Sequence, residues 1–143
     1  MTASIFTAAT AKVVNPNAEE HAKVVDYLNT ALSALFPGLH TRAYTRCIIG
    51  EYNVHVWFGR YTNREDCPNG IWENDPMLGL FAIFNEGGKF KIGHPTTHGR
   101  GVTDAGTSRF ITIKADTEQQ AAEKLVKWFT KNQQVINDYA AQF

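Results

Sequence analysis

Apolar residues recur at three- and four-residue spacing near both ends of the chain and at every second position in between. That pattern predicts a helix, a run of strands and a closing helix. Val24, Val25, Leu28, Ala31, Leu32 and Leu35 form one stripe that follows Asn15-Pro16-Asn17 and stops at Pro37-Gly38. Asn17, with Glu20 three residues on, fits a capping box in which Asn stands in for Ser or Thr. Strands are predicted over roughly 40–49, 52–61, 77–85, 89–93 and 108–115. Asp116, with Gln119 three residues later, opens a last helix running to about residue 141. Its stripe is Ala121, Ala122, Leu125, Trp128, Phe129, Ile136 and Tyr139, and its end, with Tyr139 and Phe143, is expected to project.

The alternation is clearest in residues 40–61. A hairpin turning at Gly50-Glu51 in a type II′ turn sets Ile49, Cys47, Thr45 and Ala43 beside Tyr52, Val54, Val56 and Phe58, an apolar face. The other face carries His40, Arg42, Tyr44 and Arg46 beside Asn53, His55, Trp57 and Tyr61. A register slip of one residue would destroy both patterns. The third and fourth strands meet at Glu86-Gly87-Gly88. A three-residue loop there puts Leu80, Ala82 and Phe84 with Phe90 and Ile92 in the core, and Phe81, Ile83, Lys89 and Lys91 on the outer face. A two-residue Gly-Gly turn would shift this register. In the fifth strand Ile111, Ile113 and Ala115 read as core, and Phe110, Thr112 and Lys114 as outer face.

Two helices with one apolar stripe each are most simply accommodated on one face of an antiparallel meander. The expected fold is therefore α+β, a two-layer sandwich of α-β-β-β-β-β-α order. Residues 1–143 read as a single domain, with 1–14 a possible N-terminal arm or edge strand.

Composition narrows the setting. Fourteen basic and fourteen acidic residues cancel, which argues against a nonspecific coat for duplex DNA. Basic residues slightly outnumber acidic ones in 38–114, where four of the five histidines also lie. The only cysteines, Cys47 and Cys67, make no disulfide framework, so a cytoplasmic setting is expected. Cys47 falls on the apolar face, where a thiol acts as a small hydrophobe. The N-terminus reads as no signal peptide, and no run of residues as a membrane span.

Candidate chemistry gathers in two long connections and on the outer face. Residues 62–76 and 93–107 would emerge at one end of a simple meander, beside the start of the first strand. His40, Arg42, Arg60, Tyr61, Trp72, His94, His98 and Arg100 would then converge there. Glycines at 93, 99, 101 and 106 with Thr96, Thr97, His98 and Arg100 suit an anion, though no phosphate-loop signature is present. His94 and His98 have zinc spacing, but Pro95 disfavours the helix that spacing needs. Even with Cys67 and Asp66 no metal motif results, and no cofactor is implied.

The outer face offers Tyr44 and Trp57, with Phe81 or Phe110, as stacking platforms. Arg42, Arg46, Lys89, Lys91 and Lys114 can face phosphates. The leading expectation is a non-enzymatic binding module for single-stranded nucleic acid or a nucleotide-like phosphate ligand. Its ligand-binding candidates are Arg42, Tyr44, Arg46, His55, Trp57, Tyr61, Lys89, Lys91, His94, His98 and Arg100. One alternative is a small protein-binding inhibitor or adaptor, dimeric or of the phage-accessory kind, with no membrane partner. Another is a phosphodiesterase using His40, His94 or His98 as general acid or base, His94-Pro95-Thr96 being half of a paired His-x-Ser/Thr pattern.

Overall fold

The computed structural model describes residues 15–93, 102, 104–108 and 113–143. Its elements are α1 (Ala18–Leu35), β1 (His40–Ile48), β2 (Glu51–Gly59), β3 (Gly79–Glu86), β4 (Lys89–Gly93), β5 (Ile113–Ala115), α2 (Glu118–Lys131) and α3 (Gln133–Ala140). The strands form one antiparallel sheet in the order β1-β2-β3-β4-β5, the expected meander. Buried residues of the helices and of one sheet face form a single core cluster, so the α+β sandwich is as the periodicity implied. Among the described residues no helix is long and apolar enough to cross a membrane.

Both hairpins turn differently from expectation, with opposite consequences. Ile48 pairs with Glu51, so the first turn is Ile49-Gly50 rather than Gly50-Glu51. Both turn residues have positive φ, 52° and 77°, the type I′ signature that matches strand twist. The pairing moves by an even number of residues, so each side chain keeps its predicted face. Ile49 is the exception: it sits in the turn, 98% exposed.

The second hairpin closes through Gly87-Gly88, with Glu86 opposite Lys89 and φ of 62° and 84° at the two glycines. The two-residue turn inverts β3 relative to the three-residue loop. Phe81 and Ile83 are buried in the core, while Leu80, Ala82 and Phe84 share the outer face with Lys89 and Lys91.

Four fully buried phenylalanines tie the layers together. Phe129 of α2 stacks on Phe58 of β2 at 5.8 Å, and meets Phe36 and Phe81 edge-on at 5.7 and 5.2 Å. The helix ends differ from expectation. Asn17 makes no side-chain cap; instead Asn15 Oδ1 accepts from the Asn17 N–H. In α2 the cap is Thr117, whose hydroxyl accepts from Gln120 N–H, while Gln120 Oε1 accepts from Asp116 N–H.

The last helix is broken at Asn132 and does not run on to residue 141 as one rod. Asn132 is buried, donates to Ser108 Oγ and Trp128 O, and accepts from Ser108 N–H. The bend brings α3 back onto α1. Gln133 and Asn137, one turn apart, both donate to Leu35 O, a carbonyl the end of α1 leaves without a helical partner. Tyr139 consequently packs against the core instead of projecting. Cys47, expected on the apolar face, is exposed near the hairpin tip, and Cys67 is buried.

The edge strand β1 is clamped. Asn29 of α1 accepts from Ala43 N–H at 2.8 Å and donates to Ala43 O at 3.1 Å, as a neighbouring strand would. Asn29→Ala should leave both groups without a partner and cost about 1–3 kcal/mol in urea unfolding, with Asn29→Asp in between.

Ile49 is β-branched and held at positive φ, a strained combination. Ile49→Asn creates the favoured Asn-Gly turn and should raise stability by about 1 kcal/mol, read from the urea midpoint at unchanged slope.

Candidate functional site

The register fixes what the outer face presents. One cross-strand row is Arg42, Trp57 and Leu80; the next is Tyr44, His55, Ala82 and Gly93; Phe84, Lys91 and Lys114 share a third. Tyr44 and His55 stack at 5.7 Å with their planes 23° apart, and the Arg42 guanidinium lies 5.5 Å from the Tyr44 ring. Phe84 lies over Gly93, where an added Cβ would come within 3.0 Å of its ring.

His55 is the centre of this face and its least ordinary residue. It is 6% exposed, and neither ring nitrogen has a hydrogen-bond partner among the described residues. Buried polar groups nearly always have one. Burial holds its pKa below the ordinary histidine value, and the nearby Arg46 charge pushes the same way.

The predicted cations differ in availability. Lys89 is paired with Asp116, whose carboxyl it holds below the usual aspartate value, and Lys91 lies 3.0 Å from Glu86. Arg46 and Lys114 are exposed and have no ion pair among the described residues. Phe81 is no stacking platform, because the two-glycine turn carries it into the core; Phe110 lies outside the described residues. Trp57 is engaged by its own chain: its ring meets Trp72 edge-on at 5.2 Å.

Trp72 belongs to the 62–76 connection, which is ordered by three short 3₁₀ turns and by Asp75. The buried Asp75 carboxylate accepts from the N–H groups of Arg60, Tyr61 and Met77 at 2.8–3.2 Å, fastening the connection to the end of β2. Burial, with Asp75, Asp66 and Glu65 close by, pushes the Cys67 thiol up. His40 and Tyr61 do lie at this end of the sheet, with Arg60 against the Tyr61 ring at 5.8 Å. The remaining candidates there, His94, His98 and Arg100, lie outside the described residues. Among the described residues no group of three His, Cys, Asp or Glu side chains gathers as a metal ion requires.

The pairing of His21 with Glu118 was not anticipated. Nδ1 of His21, in the first turn of α1, lies 2.7 Å from Glu118 Oε1 at the start of α2, and both side chains are buried. Burial pushes the Glu118 carboxyl above the ordinary glutamate value, against the opposing pull of His21. A signal existed: His21 extends the stripe Val24, Leu28, Leu32, and Glu118 extends Ala122, Leu125, Phe129, each by one turn. Polar residues that continue an apolar stripe need a buried partner, and these two supply one another.

No protein family, curated protein or solved structure matches the chain.

The direction of the His55 shift sets a pH signature. Its contribution to stability is present above the unfolded value of 6.5 and is lost as pH falls through the lower folded value. Below pH 6.5, wild type should therefore lose stability faster than His55→Phe, by at most about 1.4 kcal/mol per pH unit, in urea unfolding at a series of pH values.

Proposed function

We propose that the chain is a cytoplasmic binding module whose outer sheet face takes single-stranded nucleic acid or a nucleotide-like phosphate ligand. The observation that carries this reading is the grouping of Tyr44, Trp57 and Phe84 on one sheet face around the stacked Tyr44–His55 pair, with Arg42 against the Tyr44 ring. A planar base can stack on the rings of Tyr44 and Trp57. Arg42, Arg46 and Lys114 flank the rings and suit phosphates. The rows of a sheet face space such contacts at intervals a single strand can follow.

The half-buried Leu80, Ala82 and Phe84 favour a second reading, a protein-docking face of an inhibitor or adaptor. Tryptophan emission titrated with short oligo(dT) and oligo(U) separates the two. Nucleic-acid binding predicts saturable quenching, lost in Trp57→Ala and weakened tenfold or more in Arg46→Glu. With three cations on phosphates, a tenfold rise in salt should weaken binding about a hundredfold. Absence of saturable quenching at high micromolar oligonucleotide would leave the protein-docking reading.

A further inference from the structure

We propose that the cavity at the mouth of the sandwich, between the start of α1 and the ends of β2 and β3, binds a small neutral polyhydroxylated ligand such as a monosaccharide. It lies at the opposite end of the sheet from the 62–76 connection. Its volume is about 330 Å³, room for one sugar ring, and Asn15, Asn17, His21, Glu51, Tyr52 and Asn85 line it.

His21 makes the cavity a built site. Its Nδ1 is held by Glu118, which fixes the ring, and among the described residues its Nε2 has no partner although the residue is only 6% exposed. The asparagines add donors in fixed places. Asn15 Oδ1 is taken by Asn17 N–H and Asn85 Oδ1 by Gly88 N–H, so each amide is oriented while its Nδ2 remains without a partner among the described residues. The Asn17 side chain has no hydrogen bond there either. Glu51 can only accept when ionised. A hydroxyl is both donor and acceptor, so adjacent hydroxyls on one ring match such a mixed lining, and the Tyr52 ring offers a surface for sugar C–H groups.

Charge decides against other ligands. An anion would meet Glu51 in the lining, Glu118 behind His21, and Glu19 and Glu20 in the first turn of α1. A divalent cation would find one imidazole and one carboxylate, too few for a protein cage. A planar base would find little apolar lining beyond Pro16 and the Tyr52 ring.

The test is NMR titration of the isotope-labelled full chain with glucose, mannose, galactose and N-acetylglucosamine to about 100 mM, since a single neutral ring gives dissociation constants on the order of millimolar. At least one sugar should cause saturable shifts of the Asn15, Asn17 and Asn85 side-chain amides and the His21 ring. Binding should weaken about tenfold in Asn17→Ala, whose lost side chain makes no hydrogen bond among the described residues, and vanish in His21→Gln. Lack of saturable shifts with all four sugars, or full affinity in Asn17→Ala, would overturn the proposal. Asn17→Ala decides alone if His21→Gln fails to fold.

Discussion

The ring of Phe129 is the contact on which the rest of the structure depends. It lies against Phe58, Phe36 and Phe81, so one side chain of α2 touches the end of α1 and two central strands. Close packing of four rings leaves little freedom in how the layers meet, because each aromatic fills a volume no smaller residue would fill. The cluster also fixes β3. With Phe81 inside, alternation sends Leu80, Ala82 and Phe84 to the outer face, and the composition of the candidate binding surface follows from a core contact.

Around that core, polar side chains do the fastening. Asn29 closes the sheet edge, Asn132 breaks the last helix and holds the 108 segment, Gln133 and Asn137 satisfy the end of α1, and Asp75 secures the long connection after β2. Each supplies a partner to backbone groups that burial would otherwise leave unmet. His55 departs from this rule, with neither nitrogen partnered among the described residues, while His21 and Glu118 obey it through each other. The two histidines thereby mark different kinds of place: one a buried ring on the outer sheet face without a hydrogen-bond partner among the described residues, the other a cavity wall whose inner side is already braced.

The strands of the first hairpin were legible because alternation survives an even shift. Moving the turn from Gly50-Glu51 to Ile49-Gly50 changed every cross-strand partner and no strand side chain's face. β3 lacks that protection. Its residues 80–84 are apolar on both faces, so periodicity says nothing about which set is buried, and loop length decides. The same limit hid the break at Asn132, since a helix stripe carries no mark of where an amide finds a distant partner. Of the candidate site, the grouping of Arg42, Tyr44, Arg46, His55 and Trp57 was legible. The burial of His55 and the approach of Trp72 to Trp57 were not.

By itself, the sequence determined the first helix, the strand segments and the two-faced first hairpin, because these rest on local periodicity, and it made an antiparallel meander their simplest arrangement. Only the tertiary structure decided which face of β3 is buried, where the last helix bends, and that His21 meets Glu118 across ninety-seven residues. Those outcomes depend on contacts between segments far apart in the chain, where packing volume and the need to satisfy buried polar atoms outweigh local preference.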